Sequence, residues 1–214
     1  MQMETAWHAL ETEVGRFRTW ADSLSDDRAS EWEPDYEGWQ ELRTAFDHFV
    51  STTSCAQWTP EMVQTLLYAI ARDTDTRHLV HTLAKNTDNL LRVTEKAIAL
   101  AEHGGKYQLA AELGCITQRT PEAEALLLRF ARDDDEYVRR RALMALADLH
   151  SSHVPELIEA TWSTGIEHAR MAVLYALRQI DSPQLAEYLM HAEADGRKYL
   201  TGYASKIRAG EPVE

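Results

Sequence analysis

The sequence is poor in cysteine, proline and glycine. Its 214 residues include two cysteines, six prolines and nine glycines. Two cysteines are too few for a disulfide framework, so we expect Cys55 and Cys115 to be buried thiols in a reducing compartment. The low content of proline and glycine favours helices that are joined by short connections.

The sequence also lacks the segments that direct a chain to or across a membrane. No run approaches the ~18 apolar residues that a membrane span needs. The first ten residues, MQMETAWHAL, do not combine a basic region with an apolar core, so we expect no secretory leader. The expected location is therefore the cytoplasm, with no membrane contact.

Motifs of common enzymes and metal sites are missing as well. There is no G-x-S-x-G, phosphate-binding or dinucleotide-binding glycine pattern. Two histidine pairs, His78 with His81 and His150 with His153, have the spacing of ligands on one helical face, but no further ligand motif completes either pair. We therefore expect no catalytic residue, no metal ion and no cofactor.

Positive charge is scarce in the N-terminal part of the chain. The whole chain has a formal net charge of −13, from 35 acidic and 22 basic residues. Residues 1–62 hold thirteen Asp and Glu against four Arg, which places −9 of this charge in less than a third of the chain. A general nucleic-acid binder would carry a basic face instead. The asymmetry indicates a polarised partner, and we expect no direct contact with nucleic acid.

The C-terminal third of the sequence contains an internal repeat. A shift of 31 residues superposes apolar positions at helical spacing and turn residues between two helical runs. Self-similarity at a fixed period is typical of stacked helical units that share one core. The superposed positions are Leu126, Leu157 and Tyr188; Leu127, Ile158 and Leu189; Asp134, Gly165 and Gly196; Val138, Ala169 and Leu200; Ala142, Val173 and Ala204; and Ala145, Ala176 and Ile207.

A second copy of the pattern lies upstream. LLYAIARDTD, residues 66–75, is similar to LLLRFARDDD sixty residues later. At an offset of 29, Gly105 falls under the turn residue Asp134, so we expect Gly104 and Gly105 to mark a turn. The repeat is therefore predicted to run from about 59 to 209 as five helix pairs.

The second helix of each pair carries a family resemblance. One such helix carries Val138-Arg139, Ala142, Ala145-Leu146 and Leu149, and it is echoed by Ala169-Arg170, Val173, Ala176-Leu177 and Ile180. In these residues the chain resembles the HEAT-repeat family in a short-repeat form, over roughly the last 150 residues, although the usual unit of that family is about 40 residues. The resemblance implies an all-α, right-handed α-solenoid of stacked antiparallel helix pairs whose second helices line a concave face.

One α-solenoid domain is predicted over residues 1–214. Residues 1–56 would form an acidic, Trp-rich N-terminal capping pair that does not match the repeat, and residues 59–209 would form the HEAT-like repeats. The predicted helices are 4–22, 35–51, 60–72, 75–85, 87–102, 106–117, 121–132, 135–149, 154–163, 166–180, 182–194 and 196–208. Three of them are expected to start at an N-cap residue followed by proline: Thr59-Pro60, Thr120-Pro121 and Ser182-Pro183.

The N-terminal cap holds the first set of candidate binding residues. Five of the six tryptophans lie in the first 58 residues, and several alternate with carboxylates. Aromatic anchors in an acidic field suit a basic protein, because charges steer the encounter and buried aromatic side chains dominate the binding energy. The alternative is that these tryptophans close the end of the core. The residues predicted to bind a partner are Asp26, Asp27, Glu31, Trp32, Glu33, Asp35, Tyr36, Glu37 and Trp39.

A second set of candidates lies on the second helices. Arginines follow the acidic turn at residues 133–136, where pairing with acids of the first helical turn gives them a structural role. The alternative is a positive strip on the inner surface that holds an acidic patch of the partner. On that hypothesis the binding residues are Arg139, Arg140, Arg170, Tyr175 and Arg178.

Together these features favour a protein-binding module. Small, acidic, cofactor-free chains of this size are similar in physical type to immunity proteins of bacterial contact-dependent inhibition and other polymorphic toxin systems, some of which use helical-repeat scaffolds. That likeness implies binding and neutralisation of a basic toxin domain, specifically a nuclease, and we expect the free chain to be a monomer. The alternatives are a general HEAT-repeat adaptor or assembly factor and, from another class, an enzyme that acts on nucleic acid.

Overall fold

The protein is helical throughout the part of the chain that the structure describes. The structure, a computed structural model, describes residues 2–24, 33–100, 102–116 and 120–213. These residues form twelve α-helices, two short 3-10 turns at Glu33–Asp35 and Cys55–Gln57, and no strand, which confirms the all-α prediction for them. The helices are α1 (Gln2–Ser23), α2 (Trp39–Thr52), α3 (Pro60–Arg72), α4 (His78–Ala84), α5 (Thr87–Ala97), α6 (His103–Gly114), α7 (Pro121–Phe130), α8 (Glu136–Asp148), α9 (Val154–Ser163), α10 (Glu167–Gln179), α11 (Leu185–Asp195) and α12 (Lys198–Arg208).

Two of the three predicted proline starts are correct. The Thr59 hydroxyl accepts a hydrogen bond from the backbone N–H of Met62 at 3.3 Å, and the Thr120 hydroxyl accepts one from Ala123 at 3.1 Å. Each hydroxyl satisfies one of the N–H groups that the first turn of a helix leaves without a partner. A proline then opens α3 and α7, because its missing N–H is not needed there.

The third predicted start is wrong, as is the predicted start of α2. Pro183 lies in a turn, and α11 begins two residues later at Leu185. The helix predicted from residue 35 begins at Trp39, since Glu33–Asp35 forms a 3-10 turn in front of it. Both errors displace a helix start by a few residues, which is the usual uncertainty of helix ends.

The chain divides into two compact units, residues 1–112 and 113–214, and the boundary falls inside α6. We call them unit 1 and unit 2. In unit 2, α7, α9 and α11 each contact the helix that follows, and α10 contacts both α8 and α12. This arrangement is consistent with a helical-repeat protein. The right-handed twist and the single domain stay predictions.

The predicted repeat of unit 2 is visible in its second helices. Helices α8, α10 and α12 begin at residues 136, 167 and 198, a constant spacing of 31. At the first superposed position of these helices, Val138, Ala169 and Leu200 are all buried. The remaining superposed positions of these helices are also buried: Ala142, Val173 and Ala204, and Ala145, Ala176 and Ile207.

The second helices of unit 2 also end in the same way. His150 and Asp181, 31 residues apart, have φ of 48° and 50°, and Gly210 has φ of 72° after the last helix. In each case the next residue donates its N–H to the carbonyl five residues earlier, at 2.9 to 3.0 Å. This left-handed ending satisfies carbonyls that the last helical turn leaves free. It normally favours glycine, because a side chain is strained at positive φ.

Unit 1 has a core without an equivalent constant spacing. Helix α1 packs on α2 and α3, α2 packs on α4, and α5 packs on α3 and α4. The apolar residues at helical spacing in the first helical segment are Trp7, Leu10, Val14, Phe17 and Leu24. Leu10, Val14 and Phe17 are each no more than 1% exposed, whereas Trp7 and Leu24 are half-buried. The inner face of α2 is buried at five apolar positions: Trp39, Leu42, Phe46, Phe49 and Val50.

The predicted turn at Gly104 and Gly105 is wrong. Both residues lie in the first turn of α6, where their lack of a side chain allows a close approach to α3. A Cβ atom on Gly104 would lie 3.1 Å from the Ala71 carbonyl oxygen, and one on Gly105 would lie 3.2 Å from that of Leu67. These glycines serve helix packing, whereas Gly165, at φ of 71°, lies in a turn as predicted.

The predicted burial of the two cysteines is wrong at Cys115 and only partial at Cys55. Neither cysteine is in a disulfide, and both lie in the described part of the chain. Cys55 is half-buried in a 3-10 turn, and Cys115, which directly follows α6, is exposed. None of the helices in the described residues has the length and apolar character that a bilayer crossing requires.

Candidate functional site

The predicted N-terminal binding residues lie in and around the turn before α2. Asp26, Asp27, Glu31 and Trp32 fall outside the described residues. The other five, Glu33, Asp35, Tyr36, Glu37 and Trp39, form the 3-10 turn, the following bend and the start of α2. We call the surface formed by Asp35, Tyr36, Glu37, Glu41 and Trp20 the N-terminal acidic surface.

An aromatic cluster supports this surface from below. The rings of Phe17 and Tyr36 lie edge to face with centroids 4.9 Å apart, and Tyr36 and Trp20 have centroids 5.0 Å apart. The Trp39 ring lies 5.2 Å from Phe17, and its indole N–H donates to the Glu33 carbonyl at 2.7 Å. Such pairs add roughly 0.5–1.5 kcal/mol each beyond area burial, so the cluster holds the turn on α1.

The cluster members differ in exposure. Phe17 is 1% exposed and Trp39 is 8% exposed, so both are core side chains. Trp20 and Tyr36 are half-exposed at the outer side of the cluster. Trp39 was predicted as a binding residue. Its burial favours the alternative role that the sequence left open, which is to close the end of the core. Tyr36 and Trp20 are the aromatic side chains that a partner can reach.

Carboxylates surround the half-exposed rings. Asp35, Glu37 and Glu41 are exposed, and none of them forms a side-chain hydrogen bond or an ion pair with another described residue. Burial of its phenol raises the pKa of Tyr36, and the neighbouring charges of Glu13 and Glu41 raise it further against the effect of Arg16. The Tyr36 hydroxyl is therefore a neutral hydrogen-bond donor in a negative environment.

Gly38 allows the Tyr36 ring to lie close to the backbone. A Cβ atom at residue 38 would lie 2.6 Å from Cζ and from the hydroxyl of Tyr36. Any larger residue there would displace the ring, at little cost because the end of a flexible side chain moves. The position of Tyr36 in the N-terminal acidic surface thus depends on this glycine.

An open cleft of about 350 Å³ adjoins the surface within unit 1. One side is formed by Tyr36, Glu37, Trp39, Gln40 and Arg43, and the other by the turn of residues 72–76. Sequence reasoning did not identify this second side. In the sequence, this turn shows only two aspartates in a short polar connection, a pattern that is common to many turns between helices.

Asp73 holds this turn in place from below. It is 2% exposed and accepts three hydrogen bonds. One carboxylate oxygen accepts from Arg43 at 2.9 Å and from the Thr76 hydroxyl at 2.8 Å, and the other accepts from the backbone N–H of Leu79 at 2.9 Å. Asp73 therefore joins α2, the turn and the first turn of α4.

The two arginines of the cleft are already paired. Arg43 is bound to Asp73, and its guanidinium lies 5.2 Å from the centroid of the Trp39 ring. Arg72 is 2.9 Å from Glu102, and it lies 3.7 Å from the centroid of the Tyr68 ring. Glu37 and Asp75 are exposed carboxylates at the rim. The free charge that the cleft offers to a ligand is therefore negative.

The predicted positive strip is used mostly inside the fold of unit 2. Arg139 donates to the carbonyls of Asp133 and Asp134, both at 2.7 Å, so it closes the turn rather than pairing with carboxylates. Arg170 binds Asp195 and the Trp162 carbonyl. The remaining members are similarly engaged: Arg178 donates to the Glu211 carbonyl at 2.7 Å, and Arg140 lies 3.4 Å from Glu136.

Tyr175, the last predicted member, is also a structural tie. Its hydroxyl donates to the Asp148 carboxylate at 2.6 Å. Burial is the main cause that raises the pKa of both side chains, and the bond to Asp148 raises the pKa of Tyr175 further. The bond joins α10 to α8, two second helices.

The comparisons with known proteins concern unit 2. Residues 123–202, from α7 to the start of α12, match the family model described as HEAT repeats. This stretch is therefore similar to a helical-repeat protein-interaction module. No curated protein and no solved structure matches the chain.

Proposed function

We propose that the chain is a protein-binding module whose N-terminal acidic surface captures a basic protein. In its specific form the chain is an immunity protein that binds and neutralises a basic cognate toxin domain, a nuclease, in the cytosol. The observation that carries this proposal is the set of exposed carboxylates, Asp35, Glu37 and Glu41, beside half-exposed Tyr36 and Trp20. The HEAT-repeat match supports a role in protein interaction.

The charge distribution favours a basic partner. Residues 1–62 carry −9, whereas the rest of the chain carries −4. A concentrated negative field speeds the encounter with a positive surface by orders of magnitude, and salt weakens this effect. A nuclease needs a basic surface to hold phosphates. An acidic protein on that surface would exclude the nucleic acid.

The cleft next to Tyr36 suits a basic side chain. An arginine or lysine of the partner would lie against the Tyr36 ring, where a cation gains roughly 0.5–2 kcal/mol. Glu37 and Asp75 at the rim supply the opposite charge, and the resident Arg43 and Arg72 are paired with their own carboxylates. Recognition thus combines a long-range charge effect with one aromatic contact.

The first test is protection and binding against a toxin domain. If the gene beside this one encodes a large secreted effector, its C-terminal domain is the partner to express. The chain should protect cells that produce this domain, and the purified pair should associate at a rate that falls steeply with salt concentration. Association that does not change with salt would contradict steering by the acidic surface.

Variants of the surface separate its aromatic and charged contributions. Tyr36→Ala should weaken the complex by about 2 kcal/mol, roughly 30-fold, if the ring is an anchor. Glu37→Gln should mainly slow association. Glu187→Gln removes an exposed carboxylate of unit 2 and is the matched control. Trp39→Ala is a poorer probe, since it also removes a core side chain.

Gly38→Ala tests the position of the Tyr36 ring without deleting it. The added methyl displaces the ring, so binding should weaken while the thermal unfolding temperature changes little. Surface plasmon resonance and differential scanning fluorimetry give the two readouts. If both Gly38→Ala and Tyr36→Ala bound the partner with wild-type affinity, the N-terminal acidic surface would not be part of the interface.

A general HEAT-repeat adaptor is the second candidate, because the family match itself carries no toxin specificity. The two functions differ in their partner. An adaptor would bind a component of an assembly and give no protection against a toxic nuclease.

A further inference from the structure

An open pocket of about 260 Å³ lies where α8, α10 and α12 of unit 2 adjoin. It takes two arginines from α8 and a histidine from α10, and no carboxylate is among its lining residues. This composition is unexpected in a unit that holds sixteen Asp and Glu against twelve Lys and Arg, a net charge of −4. The pocket is a local positive site in an acidic protein.

One of its arginines lacks an acidic partner. Arg140 lies 3.4 Å from Glu136, and its guanidinium carbon lies 4.4 Å from the centroid of the Tyr137 ring. Arg141 lies 5.6 Å from the same ring, and no described carboxylate pairs with it. The Nε atom of Arg141 is buried and has no hydrogen-bond partner. Arg141 as a whole is half-buried and lines the pocket, so its guanidinium charge, which no described carboxylate balances, would stabilise an anion there.

The rest of the pocket is apolar and aromatic. Met144 and Met171 line it, and unbranched methionine adapts to ligands of different shape. Tyr203 is 8% exposed, and its hydroxyl has no hydrogen-bond partner among the described residues. Burial raises the pKa of Tyr203 to about 12, so the hydroxyl stays protonated and can donate to an anion.

An exposed aromatic side chain stands at the rim. Tyr199 is 62% exposed, one of the few large apolar side chains on the surface of the described residues. Its ring is stacked with the lining residue His168, with centroids 6.3 Å apart. A ligand that reaches the arginines would therefore also meet an aromatic surface.

We infer that this pocket binds an acidic segment of a protein, in which an Asp or Glu carboxylate adjoins an apolar side chain. The carboxylate would lie at Arg141 and Tyr203, and the apolar side chain at Met144 and Met171. A protein fits better than nucleic acid, because a phosphate chain needs many cations and unit 2 is acidic overall. The inference does not depend on the basic partner proposed for the N-terminal acidic surface.

The experiment uses the full chain with methyl-labelled methionine and nuclear magnetic resonance. The probe is the tetrapeptide acetyl-Gly-Asp-Phe-Gly-amide, and its matched control has Asn in place of Asp. The Asp peptide should shift the Met144 and Met171 methyl signals saturably, and should leave Met190, which is exposed and outside the pocket, unchanged. The Asn peptide should bind about tenfold more weakly, the effect of one charge-assisted hydrogen bond.

Variants locate the anion. Arg141→Gln should weaken binding of the Asp peptide by about tenfold, and Arg141→Lys should restore part of it. Arg132→Gln removes an exposed arginine outside the pocket and should have no effect. The methyl spectrum of each free variant shows whether unit 2 is still folded.

Four outcomes would overturn the inference. They are no saturable shift at either methionine, equal binding of the Asp and Asn peptides, equal binding of inorganic phosphate, and tighter binding of a single-stranded oligothymidylate. The second would mean an apolar site, the third a general anion site, and the fourth a nucleic-acid site.

Discussion

Unit 1 and unit 2 consist of the same kind of helix but use their carboxylates differently. In unit 2, Asp135 caps α8, Glu167 accepts two backbone N–H groups at the start of α12, and Asp195 binds two arginines. At the N-terminal end of unit 1, exposed Asp35 and Glu37 do none of this. These three carboxylates of unit 2 therefore contribute to folding, whereas those of the N-terminal acidic surface are available to a partner.

The units also differ in how their helices are tied together. Unit 2 repeats its helix ends at His150 and Asp181, and its side-chain ties, such as Tyr175 with Asp148 and Arg170 with Asp195, join successive helix pairs. In unit 1, Asp73 is 2% exposed and joins three elements: α2, the turn of residues 72–76 and α4. A repeat spreads its stability over similar small contributions. An irregular unit concentrates it, so the loss of one contact should be felt more strongly.

The largest expected effect is that of Asp73→Asn in unit 1. All three partners of Asp73 are donors, so the amide group of Asn places a donor against a donor in a buried site. Loss of one partner of a buried pair costs about 3 kcal/mol or more. Tryptophan fluorescence reports mainly on the N-terminal part, where five of the six tryptophans lie. For Asp73→Asn, the urea concentration at the midpoint of the fluorescence change should be markedly lower than for the wild type.

Asp75→Asn is the matched control for this variant. Asp75 lies in the same turn but is exposed, and no described side chain bonds to it. Substitutions at such sites change stability by no more than about 0.5 kcal/mol. If both variants shifted the midpoint equally, the difference between concentrated and distributed stabilisation would have no support.

Asp195→Asn should have a smaller effect in unit 2. Asp195 accepts from Arg197 at 2.6 and 2.7 Å and also from Arg170, and these bonds are worth about 2 kcal/mol together. Hydrogen bonds from the Arg197 side chain hold the pKa of Asp195 below its ordinary value, against the opposing effect of burial. Urea unfolding at neutral pH, followed by far-ultraviolet circular dichroism, measures the free energy of unfolding that Asp195→Asn loses.

The lowered pKa of Asp195 also predicts the pH dependence of this loss. Because the folded pKa lies below the unfolded value of about 4, the stabilisation is fully present above pH ~4 and disappears as pH falls through the folded pKa. The difference between wild type and Asp195→Asn should therefore shrink in acid. If the difference in the free energy of unfolding between the two proteins stayed constant from neutral pH to pH ~2, the charge of Asp195 would not contribute to stability.

The sequence predicted unit 2 better than unit 1 for a physical reason. A repeat shows each core position several times, so chance apolar residues average out, and Val138, Ala169 and Leu200 could be matched by their spacing alone. In unit 1 each position occurs once. Gly104 and Gly105 were predicted to mark a turn, because local sequence cannot show their packing against α3. That packing involves residues more than thirty positions away.

The candidate site was predictable only in its composition. Acidic and aromatic residues before α2 were identified, but their exposure was not, since Trp39 and Tyr36 look alike in sequence and differ in burial. The cleft needs the turn of residues 72–76, which tertiary structure alone brings to Arg43. The sequence placed Arg140 in a positive strip for an acidic patch of a partner, but it did not show the pocket, because three helices build it.

The smallest effects are expected at the repeated helix ends of unit 2, and they test whether those ends are equivalent. His150 and Asp181 are strained at positive φ, which costs about 1–2 kcal/mol, and glycine relieves this strain at an entropic cost of about 0.4–1 kcal/mol. His150→Gly should thus stabilise the protein by about 0.5 kcal/mol. Asp181→Gly should stabilise it by about 1 kcal/mol, because it also removes a negative charge from a helix C-terminus.

Two further variants separate strain from charge at these ends. Asp181→Asn removes the charge and keeps a side chain at positive φ, so it should recover only about half of the glycine effect. Gly210→Ala introduces the strain at the end of the last repeat and should destabilise the protein by about 1 kcal/mol. Urea unfolding measures all four. If His150→Gly and Asp181→Gly changed the free energy of unfolding in opposite directions, residues 31 positions apart would not share one environment. The repeat would then be a resemblance of sequence without equivalent packing.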